Sequence, residues 1–238
     1  MSFWQDLERH VRRLAFVSAD GDVLDYTALA RAADAVFDLP RGTPVLLALD
    51  NRPAAMIAYL GGLRRGLPAI GTAGGETTAD RERADRLIAA FRPAARWSAA
   101  RGVERLRDPA DAPATHLDLA LLLSTSGSTG ATKLVRHSAR AVEADARAIA
   151  ASLALTADER AITTLPPSYA DGLSVIHSHL AVGATTILYE GSVVGPAFRA
   201  AIGAGVARAR ALRRVTSRAA APERATPLRR RPHTAVLP

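Results

Sequence analysis

Apolar positions along the chain recur with two periods, one helical and one extended, which alternate from segment to segment. Trp4, Leu7, Val11 and Leu14 return at helical spacing and predict a first amphipathic helix. Ala15 to Ser18 and Val23 to Tyr26 flank Ala19-Asp20-Gly21-Asp22, whose residues suit a tight connection, so a hairpin is expected there. Thr27 then caps a helix reaching about Asp38, with Leu29, Val36 and Phe37 on its buried face. Arg41-Gly42-Thr43-Pro44 separates it from a strand, Val45 to Leu49. Asn51 and Pro53 open the next helix at cap and first-turn positions, and it ends at Gly61-Gly62 or Gly66.

A short strand, Leu67 to Ile70, follows, and then a charged surface helix, Thr78 to Phe91, stopped by Pro93. A weak strand at Ala95 to Ser98 and a polar linker with Pro109 and Pro113 lead to the most apolar strand, Leu117 to Ser124. Lys133 to Arg136 pairs back as a strand, Ala139 to Leu153 is an Ala-rich helix, and Ala161 to Leu165 is a strand. Gly172 to Ala181 reads as a helix and Thr185 to Tyr189 as a strand. This alternation predicts an α/β fold, a layered and largely parallel sheet flanked by helices.

Composition narrows the class. Of 238 residues 48% are hydrophobic, enough to bury a core and too many for a disordered chain. No apolar run has the length of a membrane span, and the N-terminus shows no secretory signal, which makes the cytoplasm the expected location. Without cysteine the chain has no disulfide framework, thiolate zinc site or cysteine nucleophile.

The net charge of +8 is unevenly placed. Residues 199–238 carry ten arginines against Glu223 alone, a balance of +9, so the remainder stands at −1. Residues 1–194 are therefore read as the globular part and 195–238 as an arginine-rich, mostly disordered tail. Such a tail could bind nucleic acid through phosphate contacts. A stretch translated from GC-rich DNA in a shifted frame accounts for it better, because nucleic-acid arms mix in lysine and stacking aromatics.

One segment carries a chemical signal. Leu122-Leu123 runs into Ser124-Thr125-Ser126-Gly127-Ser128-Thr129-Gly130, and Ala131-Thr132 separates these from Lys133, the one lysine in the chain. Small hydroxyl residues and glycines let a backbone approach a polyphosphate, and the lysine adds a point charge. The spacing is not that of a P-loop, since Thr132 and Leu134 stand where a glycine and a hydroxyl residue would be needed. A Ser/Gly linker is the alternative, opposed by the apolar strand that the tract abuts.

This segment resembles the signature loop of the adenylate-forming enzymes, the superfamily of acyl-CoA synthetases, peptide-synthetase adenylation domains and luciferases. Thr125-Ser126-Gly127-Ser128-Thr129-Gly130 matches the family's loop position by position, and Lys133 matches its lysine, while Thr132 replaces the usual proline. Leu165-Pro166-Pro167-Ser168-Tyr169-Ala170-Asp171-Gly172-Leu173 resembles a second family element, with Tyr169 at its aromatic position. The resemblance covers about residues 1 to 194.

It implies an AMP-forming ligase that activates a carboxylic acid with Mg²⁺ and ATP, then passes the acyl group to coenzyme A or to the phosphopantetheine of a carrier protein. Thr125, Ser126, Gly127, Ser128, Thr129, Gly130 and Lys133 would hold the phosphates, and Tyr169 would border the acyl substrate. The family's Tyr-Gly-x-Thr-Glu segment, with its Mg²⁺-binding glutamate, and its C-terminal domain with a second lysine have no counterpart here. The chain alone is therefore expected not to form acyl-adenylate. The alternative is a non-enzymatic scaffold whose tail binds nucleic acid. His177 and His179 lie two apart on a predicted helix, so they point about 200° from one another and are read as structural. His137 is read as a surface residue close to the nucleotide loop.

Overall fold

Runs of β-branched and aliphatic residues form the strands, and Ala-rich amphipathic stretches form the helices between them. The computed structural model describes residues 2–75, 77–124, 133–196, 198–203 and 234–236. In chain order the strands are β1 (Leu14–Ser18), β2 (Val23–Asp25), β3 (Val45–Leu49), β4 (Ala69–Ala73), β5 (Ala95–Ser98), β6 (Gly102–Arg105), β7 (Leu119–Ser124), β8 (Leu134–Ser138), β9 (Arg160–Thr163), β10 (Thr185–Leu188) and β11 (Thr234–Val236). The helices are α1 (Tyr26–Asp34), α2 (Pro53–Arg65), α3 (Thr78–Phe91), α4 (Ala139–Ser152) and α5 (Ala170–Val182).

Two sheets result. One has the order β6-β5-β3-β4-β7-β8 and the other β11-β9-β10-β1-β2. In the first, β5, β3, β4 and β7 are mutually parallel, and the antiparallel edges are the hairpin partners β6 and β8. In the second, β11, β9, β10 and β1 are parallel and β2 is antiparallel. The fold is thus a layered α/β architecture with largely parallel sheets, as the alternation of periods predicts.

The main core fills the layer between the sheets. It joins Phe16 of β1, Leu47 and Leu49 of β3, Leu121 and Leu123 of β7 to Leu29 of α1, Met56 and Leu60 of α2 and Leu173 and Ile176 of α5. Each fully buried leucine or isoleucine contributes about 1.5–3 kcal/mol. α2 and α5 lie in this layer and are apolar nearly all round, as helices covered on both sides must be. α3 covers the outer face of the first sheet with Leu87 against Leu46, Ile70 and Leu122. Phe198 and Ala201, in a helical segment over 198–203, cover the outer face of the second against Val17, Ile162 and Tyr189.

Some boundaries depart from the periodicity. Residues 4–14 do not make one helix: they form two 3-10 turns, Phe3–Gln5 and Leu7–His10, and then join β1. Phe3, Trp4 and Leu7 are buried, but Val11 is 59% exposed, and Arg12 takes a left-handed φ of 65°. That reversal lets Arg9 and Arg13 donate to the carbonyls of Ala181 and Gly183 at the end of α5, where guanidinium groups complement the helix dipole. The cap of α1 is Asp25, whose carboxylate accepts from Ala28 N at 2.7 Å, rather than Thr27, and the helix ends at Asp34. Strand β4 starts two residues later than Leu67, because Gly66 adopts a left-handed cap and Leu67 N bonds back to Gly62 O. Strand β6 lies in what the sequence presents as linker; the Arg96–Glu104 ion pair, 2.7 Å, holds its polar residues against β5.

Candidate functional site

Parallel pairing sends the carboxyl ends of β3, β4, β5 and β7 to one edge of their sheet, the edge where open α/β sheets bind ligands. Strand β7 ends there at Ser124, directly opposite Leu134 of β8. The register therefore anchors both ends of the Ser/Thr/Gly loop at that edge. Thr125, Ser126, Gly127, Ser128, Thr129 and Gly130 lie outside the described residues; Lys133, the first described residue after the loop, is exposed.

Side chains tie this edge to the second sheet. Asn51, which does not cap α2 (the cap is Arg52), donates its amide to Leu165 O at 3.1 Å in the loop that follows β9. Arg52 pairs with Asp50 at 2.7 Å and with Glu190, beyond β10, at 3.4 Å. Burial holds the Asp50 carboxyl above its ordinary range, with Arg52 opposing the shift. The backbone packs tightly beside it: a Cβ at Gly74 would stand 2.9 Å from Asp50 Cβ. Asn51 Oδ1, Thr72 Oγ1 and Ser168 Oγ are buried along the same region without a hydrogen-bond partner among the described residues. A cavity of about 680 Å³ opens at the ends of β3, β4 and β5, with Arg52, Thr72, Gly74, Arg81, Arg96 and Trp97 in its walls.

The second sequence element forms the approach to α5. Tyr169 is the N-cap residue of that helix and is 42% exposed, with its N–H bonded to Pro166 O. Gly172 faces the same turn so closely that a Cβ would lie 2.4 Å from Pro166 O, which explains the glycine in this element. A second cavity, about 400 Å³, lies between β7, β8, α4 and α5. Leu123, His137, Asp145, Leu173, Ser174 and His177 line it, and Tyr169 is not among the residues in its wall.

His177 and His179 diverge, as their spacing predicts. His177 is 4% exposed, and its Nε2 lies 2.9 Å from Tyr59 Oη. Burial and the nearby His137 push its pKa down to about 3, so the ring is neutral. His179 turns back to Val175 O, 2.7 Å from its Nδ1. Asp145 and Ser174, bonded at 3.2 Å across α4 and α5, went unnoticed in the sequence; only the i, i+3 step from Ser174 to His177 on α5 hints at a shared face. Among the described residues no three His, Asp or Glu side chains converge as a metal site, and no helix is long and apolar enough to cross a membrane.

Residues 125–132 thus join two strands at the carboxyl edge of a parallel sheet within a two-sheet α/β fold. The model of the AMP-binding enzyme family matches residues 69–204, and the chain belongs to that family. The family is ATP-dependent. The fold is similar to that of VinN in complex with 3-methylaspartate, with a TM-score of 0.65, 21% identity, and coverage of 78% of this chain and 60% of that one. It is similar to CmiS6, with a TM-score of 0.60, 25% identity, and coverage of 78% and 51%. The ATP-bound RpMatB-BxBclM chimera B3 gives a TM-score of 0.61 at 19% identity, with coverage of 78% and 45%. The chain thus spans about half the length of these structures. A comparison with curated protein sequences finds no match.

Proposed function

We propose that this chain carries the N-terminal, phosphate-loop part of a ligase that activates a carboxylic acid as its acyl-adenylate and then transfers the acyl group to a thiol. In the first step a carboxylate oxygen attacks the α-phosphorus of ATP, and the bond to pyrophosphate breaks. In the second a thiolate, from coenzyme A or a carrier protein's phosphopantetheine, attacks the acyl carbon and AMP leaves. Such chemistry is catalysed by positioning and by stabilising charge. In this reading Thr125, Ser126, Gly127, Ser128, Thr129 and Gly130 hold the β- and γ-phosphates, Lys133 neutralises them, Tyr169 borders the acyl group, and magnesium arrives on ATP. A cytoplasmic location belongs to the same proposal, since ATP is the co-substrate.

The observation that carries this reading is the hairpin β7–β8, which anchors the loop at the carboxyl edge with Lys133 immediately after it. We further propose that these 238 residues do not turn over by themselves, because the Tyr-Gly-x-Thr-Glu segment and the second lysine that the resemblance calls for have no counterpart in them. The test is ATP binding by calorimetry on the whole chain and on Lys133→Ala, alongside pyrophosphate release with a panel of carboxylic acids. ATP binding that depends on Lys133, without release, is the expected result. ATP binding unchanged in Lys133→Ala would sink the phosphate-loop assignment, and release above that of the variant would refute the inactivity.

A further inference from the structure

Three of the strands that border the two sheets carry charge of their own. β2, β6 and β8 are antiparallel edge strands, each at least partly exposed, with Asp25, Glu104 and Arg136 along them. Charge on an edge is a usual means of keeping it from pairing with another chain. β9 is built differently. Arg160, Ala161, Ile162 and Thr163 are all buried, and β10 runs parallel along one side of the strand. Left uncovered, the other side would offer a row of N–H and C=O groups on an apolar strand.

What covers that side is β11, parallel to β9, with Thr234 opposite Arg160, Ala235 opposite Ala161 and Val236 opposite Ile162. Along the β10 side, Thr185, Thr186 and Ile187 stand at the same three positions. The two neighbours of β9 thus share a pattern, threonine first and a β-branched aliphatic third, which suits a pleated surface in this register. Residues 204–233 lie between β11 and the helical segment over 198–203, more chain than the dozen or so residues that a parallel crossover requires, about. A three-residue strand on so long a connection is held at β9 by its own few backbone bonds rather than by the chain leading to it.

We infer that the side of β9 away from β10 is a strand-acceptor site, and that residues 234–236 of the same chain are its separable occupant. The partner it fits is an extended segment with a β-branched residue at its third position, bound through main-chain hydrogen bonds. Filled, the site extends the second sheet and keeps β9 from pairing with another molecule. Emptied, it takes an extended peptide supplied from outside. The inference concerns the second sheet and stands apart from the ligase reading.

The experiment is hydrogen–deuterium exchange on the whole chain and on its double variant Ala235→Pro/Val236→Pro. N–H groups alternate in direction along a strand, so two consecutive prolines remove whichever one points at β9. In the variant the β9 amides that point away from β10 should exchange at least about tenfold faster, while those of β3 and β4 keep their protection and show that the fold is intact. A synthetic peptide of His233-Thr234-Ala235-Val236-Leu237-Pro238 should restore the β9 protection of the variant. It is added at about 1 mM, the order of a tethered segment's effective concentration. The same peptide carrying the two prolines should restore nothing. Unchanged β9 exchange in the variant, protection that the peptide fails to restore, or restoration by both peptides overturns the inference. So does wild-type β9 protection that falls on dilution, which would make a second copy of the chain the occupant.

Discussion

The side-chain amide of Asn51 reaches across 114 positions of sequence to the carbonyl of Leu165, 3.1 Å away. That bond fastens the carboxyl end of β3 in one sheet to Leu165, the first residue of the second sequence element, in the loop that follows β9 in the other. Asn51 is 6% exposed, so its partner loses a buried hydrogen bond if the amide is removed. Asn51→Ala should cost about 1–3 kcal/mol, read as a lowered urea midpoint with an unchanged m-value.

Gly172 gives a sharper test of the turn before α5. A methyl group there would stand 2.4 Å from Pro166 O, a backbone atom that cannot rotate away. Gly172→Ala should destabilise the chain by about 1–3 kcal/mol, whereas Gly203→Ala, where a Cβ meets nothing within 4 Å, should be close to neutral in the same denaturation experiment.

Acid should weaken the fold through its buried histidines. The pKa of His177 falls from 6.5 to about 3 in the folded chain, first through burial and then through repulsion from His137. Between those values the unfolded chain binds a proton that the folded chain does not, so stability is fully present above about pH 6.5 and is lost as pH falls toward 3. The slope is about 1.4 kcal/mol per pH unit for one such group. His179, lowered chiefly by burial, adds to it in the same direction. Urea midpoints from pH 7 to pH 4 should fall for the wild type and fall less steeply for His177→Gln; equal slopes would assign the loss to other groups.

Arg64 and Arg65 are neighbours on α2 with different expected effects. Arg64 has a 9%-exposed side chain and pairs with Glu8 and Asp34, each at 2.7 Å, while donating to Trp4 O. Its hydrogen bond to Asp34 holds that carboxyl below its ordinary range. Arg65 is 43% exposed and pairs with a fully exposed Asp38. Arg64→Ala should lose about 1–3 kcal/mol, since one change breaks contacts to three segments, and Arg65→Ala should lose under about 1 kcal/mol in thermal unfolding.

Much of the layer order was legible because strands buried on both faces have to be continuous apolar runs. Val45–Leu49 and Thr78–Phe91 begin and end where the pattern places them. Period alone misled at residues 4–14, where 3.6-residue spacing is met by two short turns, and Arg9 in the second and Arg13 beyond it serve the end of α5. The polar alternation of Gly102–Arg105 reads as linker, because an edge strand gains its stability from a neighbour that local sequence does not show.

The sequence by itself determined the α/β class, the loop from Thr125 to Gly130 with Lys133 after it, and the Pro-x-x-Tyr-x-x-Gly approach to α5, since backbone demands of turns, glycines and apolar runs are local. Tertiary structure decided which distant groups meet. Asp145 and Ser174 share a cavity, Asn51 finds Leu165, and Arg52 bridges Asp50 to Glu190 only because parallel crossovers return remote strands to one edge. A side chain's partners across a sheet or between helices depend on register and crossing geometry, and no spacing along the chain encodes them.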